Sequence, residues 1–284
     1  MKLPENFLIG AATAAHQVEG NNIHSDLWAM EHMKHTSFIE PSLDAVDHYN
    51  RYEKDIKLMA DAGLNAYRFS IEWARIEPEE GHFDSEAVDH YKAVIACCKK
   101  YGIEPLVTLS HYDPPVVLAT KYRGWYSREV IDLFEKYARV CFERFGKYVT
   151  YWLTFNEVDA MLRHPVTSGA LIEDRFADIP FEQAIYQAMH HQMVASARAV
   201  KLGHELVPGA QIGCMMTKLC FYPFTCKPED NLATQQRMRS IYRYVDIQVF
   251  GEYPNYLNNE IRNKGYVIQW EDSDETDLNE GTVD

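Results

Sequence analysis

Short apolar runs recur along the chain, each followed by a longer segment of helical period. The runs are residues 7–14 (FLIGAATA), 64–70 (LNAYRFS), 103–110 (IEPLVTLS), 149–155 (VTYWLTF) and 210–216 (AQIGCMM). Each is nearly continuous in apolar residues and does not alternate, the pattern of a parallel strand buried on both faces. Between the first two, residues 44–62 place Val46, Tyr49, Tyr52, Ile56 and Met59 three or four apart. That period predicts an amphipathic helix, and Gly63 ends it as a left-handed C-cap residue would. Residues 85–101 repeat the design with Gly102 as the stop, and residues 127–145 repeat it with Ser127 as N-cap and Gly146 as the stop. Residues 181–206 form a fourth helix, ended by Pro208 and Gly209, and residues 231–250 a fifth.

The predicted order is therefore β-α repeated five times, which implies a parallel α/β sheet with right-handed crossovers. A doubly wound sheet and a barrel both fit it. No G-x-G-x-x-G follows a strand and no G-x-x-x-x-G-K-[ST] occurs, which counts against nucleotide binding. The 284 residues, 46% of them hydrophobic, can bury one sizeable core. No linker or low-complexity segment divides them, so residues 1–284 read as a single domain. The last stretch, 271–284 (EDSDETDLNEGTVD), is acidic and polar, and on composition alone is expected to be a solvated tail.

The formal charge of −14 would repel nucleic acid and an anionic membrane surface. None of the six cysteines forms a C-x-x-C pair, and all are expected to be reduced thiols. Residues 7–15 resemble a short leader, but Pro4, Glu5 and Asn6 precede them and only Lys2 supplies charge, so a signal peptide is not expected. No apolar run approaches the ~18 residues of a membrane span. Aromatics make up 13% of the chain; they suit either a sugar-stacking surface or a well-filled core, and the core is the plainer reading.

In parallel α/β folds chemistry sits where strands end and loops begin. Here those positions hold His16-Gln17-Val18-Glu19, Glu72-Trp73-Ala74-Arg75, His111-Tyr112-Asp113 and Asn156-Glu157. Taken singly, Gln17 reads as a loop residue, His111 as a structural histidine and Glu157 as a helix cap. Arg68, inside the second strand, reads equally as a buried ion pair or as a functional cation. Together they suit sugar chemistry: an Asn amide can hold a hydroxyl while the neighbouring Glu reaches a leaving oxygen. A Glu in a partly apolar site can stay protonated near neutral pH.

These residues carry a resemblance. The motifs FLIGAATAAHQVEG (7–20), YRFSIEWARIEP (67–78), TLSHYDPP (108–115) and TFNEV (154–158) are similar, in order and at the right strands, to those of glycoside hydrolase family 1, the β-glucosidase family. The resemblance implies a (β/α)8 TIM barrel of which about five β/α units are present. It implies Glu157 as general acid/base, with Gln17, His111 and Asn156 holding hydroxyls of the sugar. Arg68 would sit beside the nucleophilic carboxylate, and the Tyr112 ring would pack on the sugar where the family usually has Trp or Phe. Val158 replaces the commoner Pro after the acid/base Glu. Segments 190–201, 212–216, 222–230 and 277–284 look most like the 6-phospho-β-glucosidases, cytoplasmic enzymes acting on imported phosphorylated disaccharides. Residues 21–41 form a shorter first loop than is usual there. An unphosphorylated β-glucoside or β-galactoside is the alternative substrate. No cofactor or metal is implied, and no H-E-x-x-H occurs.

A retaining glycosidase needs two carboxyl groups about 5–5.5 Å apart. The family's T-E-N-G motif, which carries the second, is not in this sequence, nor are the phosphate-binding residues that follow the eighth strand. The chain stops at Thr282-Val283-Asp284, where a sixth strand would begin, so the tail also reads as the loop before it. Five strands would leave two open edges and an uncovered interior. The expectation is that this chain alone is not a competent hydrolase. It would be a piece of a longer enzyme, one part of a split barrel, or a chain that self-associates across its edges. A non-catalytic module that binds sugar or assembles with a partner is the reading from a different class.

Overall fold

The computed structural model describes residues 3–4, 6–34 and 36–284; Lys2 and Glu5 of the leader argument and His35 of the first loop lie outside them. Five strands, β1 Gly10–Ala12, β2 Ala66–Ser70, β3 Glu104–Ser110, β4 Tyr151–Phe155 and β5 Gln211–Gly213, form one parallel sheet in the order β1-β2-β3-β4-β5. Sequential order with no reversal is the winding of a barrel; a doubly wound sheet needs a switch point. The connections hold α1 Ala15–Val18, α2 Asp26–Glu31 and α3 His48–Asp61, then α4 Trp73–Ile76 and α5 Ser85–Lys100. After β3 come α6 Val117–Thr120 and α7 Glu129–Phe145, and after β4 come α8 Pro165–Gly169 and α9 Phe181–Leu206. Beyond β5 lie α10 Pro228–Phe250, α11 Asn255–Lys264 and α12 Asp274–Glu280.

Strand alternation sorts the side chains. Tyr67, Phe69, Val107, Leu109 and Trp152 are buried toward the helix layer, while Arg68, Leu106 and Leu153, on the other face, are only partly covered. The core between sheet and helices is aromatic: Trp73 stacks on Tyr137 at 5.1 Å and Phe134 on Phe155 at 4.6 Å. Trp73, Trp125 and Trp152 are fully buried, so these rings serve the core, as the plainer reading of the composition held.

Several sequence expectations are corrected. The first strand is three residues long, not eight, and is exposed throughout; Phe7, Leu8 and Ile9 are 48%, 43% and 46% exposed. It pairs only with β2, so the continuous apolar run did not mean burial on both faces. The fifth strand is likewise shorter than residues 210–216. Ser127 does not cap α7: that helix begins at Glu129 after Arg128, and the Ser127 hydroxyl donates to the Tyr122 carbonyl. Gly63 does take the left-handed conformation, at φ +85°.

The acidic tail is not a solvated coil. Residues 274–280 form α12, in which Asp274 and Leu278 are buried against α9. Gly281 completes the docking: a Cβ there would meet the Ala197 carbonyl oxygen at 2.1 Å. The Asp284 N–H then donates to the Ile212 carbonyl at 3.0 Å, which lays the last residues beside β5. No helix among the described residues is long and apolar enough to cross a membrane.

Candidate active site

The ends of β2, β3 and β4 bring five of the sequence-derived residues together. Arg68 projects from the part-covered face of β2. Its Nε donates to Thr108 Oγ1 at 3.0 Å and its Nη2 to Asn156 Oδ1 at 2.6 Å. It makes no ion pair among the described residues, so its reading as a buried ion pair is set aside. Asn156, buried, donates its backbone N–H to the Ser110 carbonyl and thereby extends the β3–β4 pairing to the strand end. Glu157 follows at φ +46°, and Tyr112 stands at φ +68° on the loop after β3. These are left-handed conformations that non-glycine residues adopt at a cost, and such residues concentrate at functional sites. They let the Tyr112 hydroxyl donate to Glu157 Oε2 at 2.5 Å.

Burial pushes the Tyr112 phenol well up, and the bond to Glu157 adds to it. Burial lowers the Arg68 guanidinium from its usual value, against the Glu157 charge, which raises it. His111 packs edge-on against Tyr112 at 5.4 Å. Its Nδ1 is buried without a hydrogen-bond partner, and burial, with the Arg68 charge, pushes the ring down to about 4. His111 is therefore neutral at physiological pH. Gln17, on α1, is exposed and has no side-chain hydrogen bond among the described residues. Its neighbour His16 is held by Glu31, Nε2 to Oε1 at 2.7 Å.

Beneath the same rim lies a set of acids; the sequence places three of them at strand ends without a role, and Asp26 it did not single out. Glu19, Asp26, Glu72 and Asp113 are all buried. Arg75 and Tyr91 hold Glu19, Arg75 Nε donating to Oε2 at 2.9 Å and Tyr91 to Oε1 at 2.9 Å. The carboxyl oxygens of Asp26, Glu72 and Asp113 are buried and meet no side-chain hydrogen-bond donor among the described residues. Burial, with the Glu19 charge, pushes Asp113 up to about 8, and burial with neighbouring acids carries Glu72 and Asp26 well above the usual range. Among the described residues no group of three His, Cys, Asp or Glu side chains is placed to hold a metal ion.

Comparison with known proteins places the chain in a family. The sequence profile of Glycosyl hydrolase family 1 matches residues 1–284. The chain belongs to this family. It is 40% identical over 303 residues to the 6-phospho-beta-glucosidase AscB of Escherichia coli, covering 99% of this chain and 63% of that protein. It is 38% identical to the aryl-phospho-beta-D-glucosidase BglH of Bacillus subtilis, covering 100% and 63%. A beta-glucosidase of Thermotoga maritima, solved in complex with isofagomine lactam, superposes with a TM-score of 0.85 at 32% identity, over 100% of this chain and 64% of that one. The family 1 chain thus spans less than two thirds of these relatives' length, and its five strands correspond to the N-terminal part of their barrel.

Proposed function

We propose that the protein acts as a retaining β-glycosidase on 6-phospho-β-glucosides, aryl glucosides included, with Glu157 as general acid/base. One observation carries the reading. At the C-terminal ends of consecutive strands, Glu157 is bonded by Tyr112 beside an Asn156–Arg68 pair and a neutral His111. Glu157 would protonate the glycosidic oxygen and later deprotonate water. Asn156, His111 and Gln17 would hold sugar hydroxyls. Arg68 would face the nucleophilic carboxylate, which we place outside this chain because no T-E-N-G motif occurs in it. The names of the AscB and BglH relatives favour the phosphorylated substrate. The Thermotoga beta-glucosidase favours a plain β-glucoside as the second reading.

The test is the intact mass of the native protein together with its rates on p-nitrophenyl 6-phospho-β-glucoside and the unphosphorylated glucoside. A mass above 32.9 kDa with turnover of the phosphorylated compound, reduced about 10²–10⁴-fold in Glu157→Gln, supports the reading. A preference for the plain glucoside selects the second. Turnover unchanged in Glu157→Gln refutes the assignment. Binding without turnover in either form would make the protein a sugar-binding module.

A further inference from the structure

The left-handed backbone at Glu157, φ +46°, persists only where the surrounding structure fixes it. Tyr112 restrains the side chain, and the backbone needs a support of its own. On the side of β3 the Asn156 N–H still bonds Ser110. On the side of β5 the sheet gives nothing at this level, because the β4–β5 pairing ends at Leu153 and Gly213, well before Glu157. Two bonds then rejoin the chain to the loop after β5. The Val158 N–H donates to the Met215 carbonyl at 3.2 Å, and the Thr217 N–H donates to Asp159 Oδ1 at 2.7 Å. Asp159 lies in the single 3-10 turn Val158–Ala160, which is closed by the Ala160 N–H donating to the Glu157 carbonyl at 2.8 Å.

Asp159 is built into this place. Its side chain is 0% exposed. Arg163 Nη1 donates to Oδ2 at 2.8 Å and to the Asp159 carbonyl at 3.2 Å. A buried carboxyl bonded through both oxygens is held in one orientation. The plain reading of an acid in a turn is a cap for that turn. Here neither oxygen serves it: one is taken by Arg163, and the other crosses to a different strand-end loop. Helix α10 packs against the same turn, so the support is a fixed element.

We propose that Asp159 is a positioning residue: it joins the turn after Glu157 to the loop after β5 and so keeps the Glu157 carboxyl against the Tyr112 hydroxyl. Its meaning for catalysis rests on the reading of Glu157 as the acid/base; the geometric claim does not. A misplacement of about 1 Å at a reacting group can cost ~10²-fold in rate, so a carboxyl that must give and then take a proton gains from support on both sides.

The test uses the chain itself, with ¹³Cζ-labelled tyrosine at neutral pH. Tyr112→Phe assigns the Tyr112 signal, and Glu157→Ala gives its position when the bond is missing. Asp159→Ala should move the signal toward that position and quicken exchange of the Thr217 amide. Asp159→Leu, which fills the space without an acceptor, carries the same test where Asp159→Ala does not fold. Asp159→Asn keeps an oxygen for Thr217 but loses the charge that pairs with Arg163; it should move the signal less and leave the amide slow. A merely structural Asp159 would lower the urea midpoint and leave the Tyr112 signal in place in Asp159→Ala or Asp159→Leu, which overturns the proposal. A displacement in Asp159→Asn as large as theirs would assign the effect to the charge of Asp159 and not to its bond, and overturns it too. The two readings fail separately. Turnover unchanged in Glu157→Gln removes the acid/base role and leaves the clamp; an unmoved Tyr112 signal removes the clamp and leaves the acid/base role.

Discussion

Tyr112 and Glu157 each hold a backbone conformation worth roughly 1–3 kcal/mol of strain, and the hydrogen bond between them is what that strain obtains. The bond restrains the Glu157 carboxyl from the side of β3. A Phe at this position could pack on a sugar but has no donor for Glu157, so the bond tests the hydroxyl as a positioning device. With ¹³Cζ-labelled tyrosine, the signal lost in Tyr112→Phe should ionise well above the ordinary phenol range. In Glu157→Gln it should ionise at lower pH, yet remain raised, because burial is the larger cause. An unchanged titration in Glu157→Gln would show that the contact does not form. Tyr112→Phe should cost only about 0.5–1.5 kcal/mol of stability, since a ring of the same shape stays in place. In a completed barrel it should slow poor leaving groups, which need a proton from Glu157, more than dinitrophenyl glycosides, which do not. An equal loss on both would mark a purely structural role.

At the scale of elements, what was legible was what repeats. Helix α9 runs over the span its period predicted, Phe181–Leu206, because its long apolar face is buried between the sheet and α12. The strand-end candidates could be named from sequence because their motifs fall at strand ends, a local signal. Burial of β1 was misread because a strand's own residues do not say whether a neighbour lies on both sides. The tail was misread because counting acids hides the four-residue spacing that puts Asp274 and Leu278 on one face of α12. Asp274 accepts from His190 Nε2 at 2.9 Å, from both Arg128 Nη atoms, and from the Glu271 N–H at 2.9 Å, with 0% of its surface exposed. Burial alone would raise its carboxyl, but the bonds from His190 and Arg128 win and hold it well below the usual range. The stabilisation is therefore complete above an ordinary carboxylate pKa of about 4 and drains away as pH falls below it. Asp274→Asn should cost about 1.5–3 kcal/mol by weakening the bonds from Arg128 and His190 to a charged acceptor, Arg128 keeping its pair with Glu271. Urea titration gives the loss. Amide exchange should quicken first over residues 274–284, and uniform quickening would refute α12 as a separately docked element.

The whole molecule is pulled by two opposite pH dependences, and by an edge that asks for a partner. Asp113 is raised to about 8 by burial, so the folded chain keeps a proton that the unfolded chain releases near pH 4. Its effect on stability is then to lower it progressively as pH rises from about 4 to 8, the reverse of Asp274. Asp113→Asn, which cannot ionise, should gain about 1–3 kcal/mol at pH 8 and little at pH 4, flattening the slope in urea titrations between them. A gain of equal size at both pH values would show that Asp113 does not carry the slope. Glu19, Glu72 and Asp113 fall at strand ends in the sequence, but their clustering with Asp26 in the interior was not legible, because the four are scattered along the chain. The edge is a matter of shape. β1 is paired on one side only, and Phe7, Leu8 and Ile9 lead into it at nearly half exposure. An unpaired strand flanked by apolar side chains is a template for association. We propose that this chain by itself associates through β1, and Ile9→Lys tests it by placing a charge on that approach. Sedimentation at tens of micromolar should show concentration-dependent association in the parent chain and a monomer in the variant. The same association in both would place the contact elsewhere. A parent chain that is monomeric throughout would mean that β1 recruits no second copy, leaving the edge to a segment of the family barrel that completes it.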